Sequence, residues 1–235
     1  RFNVNWWYNT RKKACFASFC GYSPPCAFHS LRYGRIEKMH SNIEKMRKKT
    51  MNRCRWCSEQ NPLYVRYHDE EWGKRQMDDP YLFEMLLLES FQAGLSWECI
   101  LNKRESFRRA FDGFDVVKIS GYGEEKTALL STDTGIVRNR RKISASIKNA
   151  AVFIEIQKEF GTFCDYLLSF CGDEPIYEYD KTHSELSDRL SADLKKRGMG
   201  FVGTTILYSY LQAIGIINSH EPSCFLYRGE KTECH

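Results

Sequence analysis

An all-α fold is what this sequence predicts, and three observations predict it. Helical hydrophobic periods succeed one another between residues 79 and 216, several open on a recognisable cap, and no sustained alternation of polar and apolar residues or internal repeat lies between them. Asp79-Pro80 supplies an N-cap and a first-turn proline for a helix running to about Ala93, which Gly94 ends. Trp97 to Phe111 is basic and amphipathic, and Asp115 to Ile119 and Gly123 to Leu130 read as short helices. A longer helix, Arg138 to Phe160, places Ile143, Ile147, Ala150, Ala151 and Ile154 on one face. Ser184 caps a polar helix to Lys196, and Thr204 to Ile216 forms an apolar one. The apolar run Phe201 to Ile217 is interrupted by Gly203, Thr204, Thr205, Ser209, Gln212 and Gly215, which suits a buried helix better than a membrane span.

Residues 1–50 mix aromatics, cysteines and basic residues without either period, apart from a possible short helix at Ser41 to Lys49. They read as an appendage that is disordered, a targeting arm or an artefact, with Met51 as a candidate natural start. Charge divides at the same place. Residues 1–50 hold 11 Lys/Arg against 2 Asp/Glu, and the rest hold 24 against 28, so the body is slightly acidic despite the overall charge of +5. Bulk charge therefore gives no argument for nucleic acid, and only local clusters can. There are three: Lys103-Arg104 with Arg108-Arg109, Arg138 through Lys142, and Lys195-Lys196-Arg197, each of which could equally be a solvated helix face. The ten cysteines are scattered over a chain longer than small disulfide scaffolds, so most are expected to be reduced. No signal-peptide pattern is visible, and a soluble intracellular protein is expected.

Three groups of residues carry chemistry. Cys54, His68, His220 and Cys224 would supply two thiols and two imidazoles to a tetrahedral zinc ion, stapling the two ends of the domain together. Ordinary buried thiols and surface imidazoles are the alternative, and Cys57 could ligate beside Cys54 in place of a histidine. The second group joins Lys196 and Arg197 to Gly198, Gly200, Gly203 and Thr204. Glycines there let backbone N–H groups approach an anion at the positive end of the next helix; a plain helical corner is the alternative. The third is Glu89, a carboxylate inside the apolar run Phe83 to Trp97, bracketed by Trp56, Tyr64, Tyr67, Trp72 and Trp97, with Gln92 nearby. Rings can sandwich a planar base while a carboxylate reads its edge; the competing reading makes the rings core and gives Glu89 a buried partner.

Taken together, CRWC, PLYVRYHDEEWG, LFEMLLLESFQAGLSW, TGIVRNRRKI, LKKRGMGFVGTTILYSYLQAIG and NSHEPSC strongly resemble the 3-methyladenine DNA glycosylase I family, over roughly residues 51–228 in one order and register. The resemblance implies a helix-hairpin-helix glycosylase fold and a structural zinc on Cys54, His68, His220 and Cys224. It implies a base pocket of Glu89, Tyr67, Trp72 and Trp97 with Trp56 nearby. It further implies base flipping of N3-methyladenine from double-stranded alkylated DNA and hydrolysis to an abasic site by a monomer. Cytoplasmic location follows for a bacterial-type enzyme, an organelle or nucleus if residues 1–50 are a genuine targeting segment. This chain departs from the family pattern in Cys57 and in one extra residue between Cys54 and His68, which bears on the first ligand. Residues 229–235 carry no signal.

Overall fold

Helix α2, Asp79–Gln92, is the axle of the structure. Every residue from Leu82 to Phe91 on it is buried, so it lacks a solvent face and behaves as the interior helix of the bundle. The structure is a computed structural model that describes residues 51–228; the expected appendage with its short helix, and the last seven residues, lie outside the described residues.

Among the described residues the first helix is α1, Pro62–Glu70, capped by Asn61, whose side chain accepts from the Leu63 N–H. After α2 come α3, Trp97–Ala110, a 3₁₀ turn at Asp112–Phe114, α4, Val116–Ser120, and α5, Glu124–Thr132. The long α6, Arg140–Phe160, is followed by α7, Phe163–Cys171, then α8, Glu185–Arg197, and α9, Thr204–Ala213. Around α2 pack α3, α6, α7 and α9; α8 lies against α9 and α1 against α3. Aromatic contacts join these layers, with Phe153 of α6 meeting Phe83 of α2 at 5.1 Å between ring centroids and Phe163 of α7 at 4.1 Å.

Local structure departs from the sequence expectation at four points. The N-cap of α2 is Asp78, accepting from the Tyr81 N–H, while the Asp79 carboxylate crosses to α7 and accepts from the N–H groups of Phe163 and Cys164 and from Gln157. A carboxylate at a helix's first N–H groups satisfies donors that no internal carbonyl reaches. On α6 the buried face runs through Ile143, Ser146, Asn149, Ala150, Phe153 and Ile156, leaving Ala151 exposed and Ile147 and Ile154 half-buried. Ser146 and Asn149 go inside because they find partners, the Lys142 carbonyl and the backbone of Gly200. Two short strands also exist: β1, Ile176–Tyr177, pairs in parallel with β2, Ile217–Asn218. Finally, α9 stops at Ala213, and Gly215 turns the chain at φ +76° where a Cβ would stand 2.3 Å from the Lys74 carbonyl carbon. Among the described residues no helix is long and apolar enough to cross a membrane.

Candidate functional site

A cavity of about 300 Å³ opens beside α2, lined by Glu89 and Gln92 of that helix, Tyr64 and Tyr67 of α1, and Trp56, Trp72 and Trp97. The register of α1 explains part of this convergence: Tyr64, Tyr67 and His68 lie on one face at helical spacing. Tyr67 meets Trp97 at 5.2 Å between centroids, and Trp56 meets Trp72 edge-on at 4.8 Å and Tyr64 at 5.2 Å. The structure thus brings together all five base-site residues expected from the sequence.

Glu89 is 3% exposed, its Oε2 has no hydrogen-bond partner, and burial alone pushes its carboxyl up to about 8. Among the described residues no cation answers it. Arg104, on the neighbouring α3, is held between Glu71 and Glu84 at 2.8 and 2.7 Å, and Arg108 binds Glu84 as well, at 2.7 Å. The first basic cluster of the sequence is therefore partly spent on interior ion pairs. Trp97 Nε1 is a second buried polar atom without a partner in the same cavity wall. Unpaired polar atoms facing an aromatic-lined space are what a planar, hydrogen-bonding ligand would satisfy.

Residues that the sequence did not single out complete the lining: Arg55, Tyr179, Asp180, Ser209, Gln212, Ser219 and Glu221. Arg55 bonds Glu221 and the Tyr179 hydroxyl, closing one rim. Glu221 and Ser219 were discoverable, since they sit in the same NSHEPSC segment as two candidate metal ligands. Tyr179 and Asp180 carried no such signal; the β1–β2 pairing delivers their loop.

Behind the aromatic wall, Cys54, His68, His220 and Cys224 form a buried cluster whose donor atoms all lie within 4.8 Å of one another. The Sγ atoms stand 3.4–3.5 Å from the facing imidazole nitrogens, His68 Nε2 and His220 Nδ1. Around a tetrahedral ion with bonds of about 2.3 Å to sulfur and 2.0–2.1 Å to nitrogen, such edges would be about 3.5 Å, so the donors fit zinc in kind and spacing. His68 Nδ1 bonds Asp69, itself gripped by Arg53, which fixes Nε2 toward the cluster. The N–H groups of Glu221 and Leu226 point at the Cys54 and Cys224 sulfurs. Cys57 stands apart, its thiol against the Tyr64 carbonyl at 3.8 Å, so Cys54 is the thiol that joins the cluster from the first segment.

Between α8 and α9, α8 ends on Gly198 at φ +104°, and α9 starts from Gly203 with no side chain capping its first N–H groups. Lys196 is exposed there. Arg197 instead pairs with Glu159 and Asp193, at 2.5 and 2.6 Å. The Thr204 hydroxyl is taken by Ser187 and Asp188, and Gly200 is tied by both backbone groups to Asn149.

A mostly helical scaffold with an aromatic cavity around an unpaired buried carboxyl offers a space that suits a flat, polar ligand. The chain belongs to the methyladenine glycosylase family, whose model matches residues 56–227. It is 46% identical over 187 residues to DNA-3-methyladenine glycosylase 1 of Escherichia coli (strain K12), covering 77% of this chain and 100% of that protein. A crystal structure of 3-methyladenine DNA glycosylase I superposes with a TM-score of 0.72 at 43% identity, covering 75% of this chain and 100% of its own. A point variant of 3-methyladenine DNA glycosylase I, crystallised in complex with 3-methyladenine, is similar at TM-score 0.71 and 32% identity, over 76% of this chain and 100% of that one.

Proposed function

We propose that this protein is a monofunctional DNA glycosylase that everts N3-methyladenine from double-stranded alkylated DNA and hydrolyses its N-glycosidic bond, leaving an abasic site for base excision repair. The observation that carries the reading is the Glu89 carboxyl in the wall of an aromatic cavity, its Oε2 buried without a hydrogen-bond partner among the described residues. Tyr67, Trp72, Trp97 and Trp56 form walls against which an everted base packs, with stacking worth roughly 1–3 kcal/mol per base against the few kcal/mol of unstacking. A carboxyl held near pH 8 is mostly protonated at neutral pH, so Glu89 can donate one hydrogen bond and accept another along the base edge.

Methylation at N3 places a positive charge on the base in DNA. When the C1′–N9 bond breaks, the bonding electrons neutralise that charge and 3-methyladenine leaves without prior protonation. Water adds its oxygen to C1′ and releases a proton, so the protein's work is extraction, orientation and discrimination. Leu95, 41% exposed on the turn between Gln92 and Trp97, would fill the gap an everted nucleotide leaves. The α8–turn–α9 unit serves as the helix-hairpin-helix: Gly198, Gly200 and Gly203 allow close approach, the uncapped N–H groups at Thr204 receive a phosphate, and Lys196 adds charge. Arg197 braces the unit through its ion pairs. From Met199 to Ser219 the chain has no Asp, Glu or Lys, so no amine stands after the hairpin to form a Schiff base. Cys54, His68, His220 and Cys224 would hold a structural zinc, whose charge stabilises the two thiolates and fixes the rings behind Trp56 and Trp72.

Incubating the purified protein with methylated duplex DNA, identifying the released base and trapping with borohydride tests the reading. Free 3-methyladenine with no covalent adduct is expected, and Glu89→Gln should retain the fold and lose most excision. Undiminished excision by that variant removes Glu89 from the site; a trapped adduct replaces the hydrolytic mechanism with a lyase.

A further inference from the structure

We infer that the first three turns of α6, with Arg138 on the loop before them, form a second contact with the DNA backbone, lying between the cavity and the α8–α9 turn. The inference rests on the glycosylase reading above and adds a binding surface to it. Arg138, Arg140, Arg141 and Lys148 are exposed and hold no ion pair or side-chain hydrogen bond among the described residues. Elsewhere Arg53, Arg104, Arg108 and Arg197 are all engaged by carboxylates. The body of the chain carries more Asp/Glu than Lys/Arg, so a cationic group left without partners is not a by-product of bulk charge.

Contacts on either side place this stripe. Toward the cavity, Lys142 Nζ donates to the Phe91 and Ala93 carbonyls at 2.6 Å, fastening α6 to the end of the helix that carries Glu89 and Gln92. Toward the turn, Asn149 exchanges hydrogen bonds with Gly200, and the Lys148 stem passes so close to Gly198 that a Cβ there would lie 3.1 Å from it. Arg141, Ser144 and Lys148 recur at helical spacing on one exposed face. Seven residues of helix rise about 10 Å, roughly three phosphate steps at the 3.4 Å axial spacing of one strand. The loop before the helix is held in shape: Lys103 donates to the Thr134 and Gly135 carbonyls, Asp133 accepts from the Gly135 N–H, and Asn139 caps α6. Arg138 therefore projects from fixed backbone, beside an open groove it shares with Lys103, Ser131, Thr134 and Ile136.

Counterion release makes the test quantitative, because each phosphate contact contributes about 0.9 to the slope of log K against log salt on duplex DNA. Affinity for one methylated duplex is measured from 50 to 200 mM KCl for the parent protein, for Arg140→Ala/Arg141→Ala/Lys148→Ala, and for Ser144→Lys. Binding of free 3-methyladenine is followed in parallel by tryptophan fluorescence. The triple variant should have a slope shallower by about 2–3 with unchanged affinity for the free base, and Ser144→Lys a slope steeper by about 0.9. Unchanged slopes in both variants, with a parent protein that releases 3-methyladenine, overturn the α6 contact and leave the glycosylase reading standing. A parent protein that neither binds the duplex nor releases the base overturns both.

Discussion

At Glu89 the cost of removing a carboxyl from water is visible as a titration shifted upward. Its folded value of about 8 lies above the ordinary 4.5, so between those values the folded chain holds a proton that the unfolded chain has released. Stability from that proton is complete below pH 4.5 and is lost as pH rises toward 8. Glu89→Gln cannot ionise, so its melting temperature relative to the parent should climb across this window, by a stability gain on the order of a few kcal/mol at pH 8. Parallel melting curves from pH 5 to pH 8 check this, and a constant difference would show that Glu89 finds a counter-charge the geometry lacks. The same residue shows what could be read from the sequence. A carboxylate in an apolar run among five rings announces a site without its coordinates, yet Arg55, Tyr179 and Asp180 enter the lining from segments with no pattern of their own.

Among the secondary-structure elements, a cap helped but did not decide legibility, since α5 and α9 lack a side-chain cap and are still readable from the sequence. Helices α2 and α8 open on residues whose side chains bond the first turn, and both were foreseen within a residue or two. Helix α1 carries the same kind of signal, Asn61-Pro62, but its interior PLYVRYHDE hides a buried face made of Tyr64, Tyr67 and His68 rather than aliphatic residues. Thr162 caps α7 in the same way, yet the sequence reading ends its long helix at Phe160 and assigns none to Phe163–Cys171. The rotated face of α6 has a different origin: polar Ser146 and Asn149 are interior because the Ser146 hydroxyl bonds back to the Lys142 carbonyl of its own helix and Asn149 meets the backbone of Gly200, which periodicity cannot express. Between α9 and β2, Gly215 allows the chain to lie directly on the backbone of Lys74 and Arg75. Gly215→Ala combines a left-handed φ with contacts of 2.3–2.4 Å to that backbone and should cost about 3 kcal/mol or more, read as a lowered midpoint in urea with an unchanged slope. A loss below about 1 kcal/mol would mean the two segments can part without consequence.

Across the whole molecule, the Cys54, His68, His220 and Cys224 cluster ties segments more than 150 residues apart and abuts the cavity wall. Trp72 meets His220 edge-on at 4.6 Å between centroids, and Trp56 meets His68 at 5.2 Å. Chelation should therefore lower the melting temperature, release about one zinc per chain and change tryptophan emission together; metal loss with unaltered emission would separate the staple from the pocket. The cluster also sets an order of events. Trp56 and Tyr67 emerge early from a ribosome, but Ser219 and Glu221, which finish the cavity, are translated some 150 residues later. A nascent chain halted before that point would own most of the rings and still lack an enclosure, so the cavity closes only once synthesis has passed its far anchor.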